Sequence, residues 1–172
     1  MQGIKYILIC SDFQAKCIIT IFSEEDTMKL PEYITVNEVK RVCRELKIRD
    51  WTSMKTAKVL PKEAGIILAN VNKEKMKIPL EEFRRGLEVE LEHGIRFRDA
   101  NVTNNHPILT GMIVIAHLKE MMDYYERLEV AELQGDLLKA TLAKDPAKIK
   151  KYFKRLADAK QDLSKAESKQ LG

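Results

Sequence analysis

Two pairs of residues in this chain have the types and the spacing for ligand or proton chemistry. Glu90 and His93 stand three apart in Glu90-Leu91-Glu92-His93, and His117 and Glu120 stand three apart, in reversed order, in His117-Leu118-Lys119-Glu120. Residues three apart share one face of a helix, so each pair can present a carboxylate and an imidazole together. Two imidazoles and two carboxylates suit zinc or non-haem iron, and helical Glu-x-x-His pairs recur in di-iron bundles. The plainer alternative is a structural network. His117 lies among Ile113, Val114, Ile115, Ala116 and Leu118, and a histidine so placed is satisfied in a core by Glu90 or Glu92 across a helix pair, with Tyr124 or Tyr125 and a nearby Asp123 in support. Acid–base catalysis would need His93 or His117 as base and a glutamate as its orienter. No Ser or Cys nucleophile adjoins them, and no glycine-rich phosphate loop or catalytic motif appears. The sequence therefore points away from an enzyme.

The remaining histidine, His106, does not belong with the others. If the intervening residues are helical it lies roughly 16 Å from His117, too far to share an ion. A second constraint bears on the metal reading. His93 ends its helix while His117 lies roughly 15 Å into the next, so their levels match only if the two helices are offset or cross.

The elements that must position these residues are helical. Thr35-Val36-Asn37-Glu38 is a capping-box signature, followed by Val36, Val39, Val42, Cys43 and Leu46 at the spacing of one buried face. Pro61 opens a second helix with Ala64, Ile67 and Leu68 behind it. Trp51, between the two, reads as a core anchor. Pro79 begins a third helix with Leu80, Phe83, Leu87 and Leu91 as its stripe and Gly94 placed to stop it. A loop from Ile95 to His106 follows, rich in the turn-forming Asn101, Asn104 and Asn105. Pro107 then opens what reads as the longest helix, running through Leu118, Met121, Tyr125 and Leu128 toward Leu133.

Composition fits this picture. The chain has 172 residues, 45% hydrophobic and 33% charged, with 7 Gly and 5 Pro. That describes one globular domain with appendages rather than a disordered chain. The 3 cysteines, Cys10, Cys17 and Cys43, lack any paired spacing, so neither a disulfide framework nor a zinc knuckle is expected, and a cytoplasmic setting is the default. The apolar run Ile7 to Cys10 is too short for a signal core or a membrane span, so no membrane role is expected. Residues 4–10 and 16–22 read instead as two β-branched strands joined by a short loop, a hairpin extension that could equally be non-native.

The ordered set Glu88-Val89-Glu90-Leu91-Glu92-His93-Gly94, Asn101-Val102-Thr103, Ala116-His117-Leu118-Lys119-Glu120 and Asp123-Tyr124-Tyr125-Glu126-Arg127-Leu128 resembles an uncharacterised domain family of bacteria, archaea and tailed phages. The resemblance spans roughly Thr35 to Glu132. It implies no activity, because the family has none assigned, but it implies that Glu90, Glu92, His93, Gly94, His117, Glu120, Asp123, Tyr124 and Tyr125 belong to a shared pattern. The phage occurrence implies a mobile-element association by analogy alone. Two departures stand out. Met122 replaces a proline usual just before Asp-Tyr-Tyr, so the helical break expected there is in question, and His106 replaces an acidic residue.

The far end differs in character. Lys139 to Lys169 carries ten Lys or Arg against four acids. Pro146 starts a helix after Asp145, with Ile149, Tyr152, Phe153, Leu156 and Leu163 on one side and Lys150, Lys151, Lys154, Arg155 and Lys160 largely on the other. Such a helix packs on its host, docks on a protein partner or touches nucleic acid.

The expected architecture is therefore mainly α: a β-hairpin extension over residues 1–27, a compact helical domain over 28–135 and a basic amphipathic C-terminal helix over 136–172. The expected function is a small non-enzymatic accessory or interaction protein with a protein partner. The alternatives are a metalloprotein holding zinc or iron through Glu90, His93, His117 and Glu120, and a nucleic-acid-associated factor acting through the basic helix.

Overall fold

The computed structural model describes residues 5–9, 18–22 and 33–172. The chain divides into two units, Met1–Tyr33 and Ile34–Gly172. In the first, β1 (Lys5–Ile9) and β2 (Ile18–Phe22) pair antiparallel, Lys5 opposite Phe22 and Ile9 opposite Ile18. The loop expected at residues 11–15 and the expected domain start at Met28 lie outside the described residues.

The second unit is mainly helical, with α1 (Val36–Glu45), α2 (Pro61–Val71), α3 (Leu80–Arg96), α4 (Pro107–Glu120), α5 (Tyr124–Leu142) and α6 (Pro146–Leu171). Local chemistry explains most of the starts. Thr35 Oγ1 accepts from Glu38 N at 3.2 Å, and Asp145 Oδ1 accepts from Lys148 N at 3.0 Å, so each satisfies an N–H that a helix start leaves unpaired. Pro61, Pro107 and Pro146 occupy first helical positions, where the missing N–H costs nothing. Pro79 stands one place earlier, as the cap of α3.

Helices α1 to α4 and the start of α5 enclose one core. Val39, Trp51, Ala64, Ile67, Phe83, Leu87 and Val114 are fully buried within it, and Tyr125 enters it from α5. A buried aromatic or branched side chain contributes about 1.5–3 kcal/mol by leaving water. Trp51 is thus the anchor its sequence position suggested. Cys43 is free and buried, and burial raises its thiol pKa, which keeps it protonated and unreactive. A second, smaller cluster joins α5 to α6: Leu133, Leu156 and Ala159, with Val130, Leu137 and Tyr152 partly buried against them.

Three expectations need correction. The helix opened by Pro107 does not run on to Leu133. It ends at Glu120, Met121 is extended (φ −151°, ψ 126°), and α5 starts at Tyr124, so the break occurs without the family's proline; α6 is the longest helix among the described residues. Gly94 does not stop α3, which continues to Arg96. Its role is close approach, since a Cβ there would lie 2.1 Å from Asn105 Oδ1 and 2.9 Å from Asn101. Phe153 is 60% exposed, off the buried side of α6, because the contact with α5 is made by Leu156 and Ala159. Gly135 lies within α5.

Candidate functional site

The break between α4 and α5 builds the central arrangement. In a continuous helix His117 and Tyr124 would stand seven residues, about 10.5 Å, apart along the axis. Because the chain turns at Met121 to Asp123, the two rings instead stack, centroids 4.0 Å apart and planes within 10°. Tyr125 meets both rings edge-on, at 6.2 Å from His117 and 5.2 Å from Tyr124. From α3, Glu90 Oε1 accepts the Tyr125 hydroxyl at 3.1 Å and lies 3.5 Å from His117 Nε2. Burial, followed by the Glu90 carboxylate, pushes the Tyr125 hydroxyl pKa well above its ordinary value, so it stays a donor.

Close packing holds the group in place. A Cβ at Gly86 would lie 2.6 Å from both Tyr125 Cε2 and Val114 Cγ1, so only glycine lets α3 approach α4 and α5 this closely. The loop before α4 is fixed by its asparagines. Asn101 Nδ2 donates to Gly94 O at 3.1 Å and to Asn105 Oδ1 at 3.0 Å, while Asn104 Nδ2 donates to Ile34 O at 2.6 Å. Asn104 and Asn105 have φ of 48° and 59°, a region that Asn tolerates better than most residues. The Glu-Leu-Glu-His-Gly and Asn-Val-Thr motifs thus meet through Gly94 and Asn101.

The expected site residues separate into three groups. Glu90, His117, Tyr124 and Tyr125 come together. His93 and Glu120 are exposed, and among the described residues no hydrogen bond or ion pair of their side chains joins them to that group. No three or more His, Cys, Asp or Glu among the described residues are grouped to hold a metal ion, so the Glu90, His93, His117 and Glu120 set does not assemble for zinc or iron. Glu92 is exposed and lies 3.7 Å from Arg96 on its own helix. Asp123 is buried but turns to Arg127, with oxygens 3.0 and 2.8 Å from its Nε and Nη2; these bonds hold the Asp123 carboxyl below its usual range. His106 caps α4, its Nδ1 accepting from Leu109 N at 3.3 Å. Burial lowers its pKa, which favours the neutral form that can accept.

Sequence reasoning missed two buried carboxylates. Glu63 is 3% exposed and accepts from Arg49 Nε, Arg49 Nη2, Arg49 N and Leu60 N at 2.6–3.1 Å. Burial alone would raise its pKa, but these donors outweigh it and hold the group below its usual range. Glu126, 8% exposed, pairs with Arg85 Nη1 at 2.9 Å. Their arginine partners stand 14 and 41 residues away, so no local spacing announces these pairs, although Glu63 also accepts from Leu60 N within its own helix start.

On α6, Arg155 Nη2 lies 3.7 Å from Glu129. Lys150, Lys151, Lys154 and Lys160 are exposed, with no carboxylate in ion-pair reach among the described residues. No helix among the described residues is long and apolar enough to cross a membrane.

No curated protein and no solved structure matches the chain. A family match does, over residues 39–134, the span from α1 into α5 that holds Glu90, His117, Tyr124 and Tyr125; the chain belongs to the family described as protein of unknown function (DUF5661).

Proposed function

We propose that this is a non-enzymatic interaction protein that docks a protein partner through the α5–α6 hairpin. The reading rests on one observation. Phe153 is 60% exposed on a helix whose neighbouring Lys150, Lys151 and Lys154 have no carboxylate in ion-pair reach among the described residues. Leu138 and Leu142 on α5 add further exposed apolar surface, at 60% and 75%. An exposed aromatic with Lys150 three residues before it and Lys154 next to it suits a partner with an acidic rim around an apolar pocket, because desolvated aromatics supply most interface energy while charge steers the encounter. The Glu90, His117, Tyr124 and Tyr125 group then serves the arm indirectly, by fixing where α5 leaves the body.

The test is site-specific photocrosslinking of the full chain in cells, with the photoreactive residue at position 153 and a control at Lys119 on the body. A discrete adduct with an acidic protein at 153, lost in the Lys150→Glu, Lys151→Glu, Lys154→Glu variant, is expected. Adducts that disappear on nuclease treatment would favour nucleic acid instead. Equal labelling at 153 and 119 would sink the proposal.

A further inference from the structure

Away from the hairpin, a cleft of about 200 Å³ opens between the start of α1, the end of α3 and the loop before α4. Two linked amides set its polar side. Gly94 O can only accept, so Asn101 turns its Nδ2 toward it, at 3.1 Å, and the other hydrogen of that nitrogen goes to Asn105 Oδ1, at 3.0 Å. Asn105 is thereby oriented, its oxygen toward Asn101 and its own nitrogen away from it. That Nδ2 has no acceptor among the described residues, although Asn105 is only 8% exposed. It is not sealed off either, because the fully buried side-chain atoms without a partner among the described residues are Trp51 Nε1 and Glu126 Oε2. Asn105 thus carries a free amide donor that keeps accessible surface, and it lines the cleft. A donor on so buried a residue almost always has an acceptor, so water or a ligand must supply one.

A second observation decides what kind of acceptor. Arg98 lines the same cleft, and its exposed guanidinium has no partner among the described residues. No Asp or Glu among the described residues lines the cleft, so nothing there neutralises that charge. Val36, Met54 and Ile95 supply apolar wall.

We propose that this cleft binds a short aliphatic carboxylate. The guanidinium fork of Arg98 meets the two carboxylate oxygens, Asn105 Nδ2 donates a further hydrogen bond, and Val36, Met54 and Ile95 cover the alkyl chain. A planar guanidinium matches a carboxylate with two parallel bonds, which a spherical anion cannot accept. The amide adds a donor without adding charge, so the site carries one positive charge and suits a monoanion better than a phosphate. With donors only, it has nothing to offer a cation. The volume falls below the roughly 300–1,000 Å³ of drug-sized sites, which limits the occupant to a few carbons and favours a free acid over the carboxylate that ends a peptide chain.

The test is calorimetric and NMR titration of the full chain with sodium acetate, propionate, butyrate and hexanoate at constant ionic strength. Butyramide, inorganic phosphate and a capped tripeptide with a free C-terminal carboxylate serve as comparison probes. Affinity should rise from acetate to butyrate, and butyrate should bind at least about tenfold more tightly than butyramide, the effect of losing a charge-assisted hydrogen bond. Saturation should move the signals of the Asn105 side-chain amide and the Arg98 Nε–H. Asn105→Asp should abolish binding, since it keeps the oxygen that accepts from Asn101 and replaces the donor with a second oxygen; Asp also tolerates the backbone there, at φ 59°. Arg98→Ala changes an exposed side chain, should keep the fold, and should weaken butyrate about tenfold or more. The proposal is overturned if no short acid saturates below about 10 mM, which would leave water as the partner of Asn105. Tighter binding of phosphate or of the tripeptide than of every short acid, or unchanged butyrate binding in Arg98→Ala, would overturn it equally.

Discussion

The body built by α1 to α4 and the hairpin of α5 and α6 are held together by different means. The body buries Trp51, Phe83, Ile67, Leu87 and Leu91 around one centre. The hairpin, though its two helices are the longest among the described residues, shares only Leu133, Leu156 and Ala159 as a buried cluster. Its base is secured by Tyr125 in the core of the body and by charge: Arg85 bridges Glu126 and Glu129, and Arg127 bridges Asp123 and Glu167. Most helical stability comes from packing of an apolar face, so the two regions should not respond alike to mutation or to pH. The matched family span covers the body and only the first part of α5, to residue 134. The best-packed part of the molecule is thus the part shared with the family.

The largest effect should come from the body. Phe83→Ala removes a fully buried ring and is expected to cost about 3–5 kcal/mol, lowering the midpoint of chemical denaturation measured by circular dichroism. Leu156→Ala should cost about 2 kcal/mol and show itself locally, as faster amide exchange in α6 with α2 to α4 unchanged. A uniform rise in exchange would erase the distinction between the two regions. Glu63→Ala is expected to cost roughly 2–3 kcal/mol, because it strands Arg49 and the N–H groups of Leu60 and Arg49. Tyr125→Phe, which deletes only the hydroxyl bonded to Glu90, should cost about 1 kcal/mol and leave the His117–Tyr124 stack in place.

The smallest effect separates the regions by sign. Glu63 has a folded pKa below its unfolded value, so its contribution is present above the unfolded pKa and is lost as pH falls through the folded one. Glu82 has a folded pKa above its unfolded value, so folding takes up a proton, and its effect on stability becomes less favourable as pH rises between those two values. Acid should therefore weaken the body through Glu63 while tightening the contact of the hairpin base with α3. Amide exchange compared from about pH 3 to about pH 7, with Glu63→Gln and Glu82→Gln as controls, checks both signs. Parallel changes in the two regions would refute the division.

Local chemistry made the helix starts legible. Thr35, Pro61, Pro107 and Asp145 each act within one turn of their own position, and the structure places a helix start at each. The break after Glu120 was not legible, because no residue beside it carries an instruction to stop. The stack of Tyr124 on His117 exists only once the chain has turned, so spacing alone does not announce it. For the same reason the mirrored Glu-x-x-His and His-x-x-Glu spacing does not by itself give partners. Each pair does share a helix, but of the four residues the structure joins only Glu90 to His117, while His93 and Glu120 remain at the surface. Periodicity gives the face of a helix; it does not give the level or angle at which two helices cross.

The three-residue joint between α4 and α5 also has a mechanical meaning. The 19 residues of α5 make a lever about 28 Å long, pivoted at Met121 to Asp123. A rotation of 10° there would swing the far turn by about 5 Å, roughly the pitch of one helical turn. Arg127, clasping Asp123 beside the pivot and Glu167 on the returning helix, thus restrains with two short arms the aim of a surface that begins nearly its own helix length away.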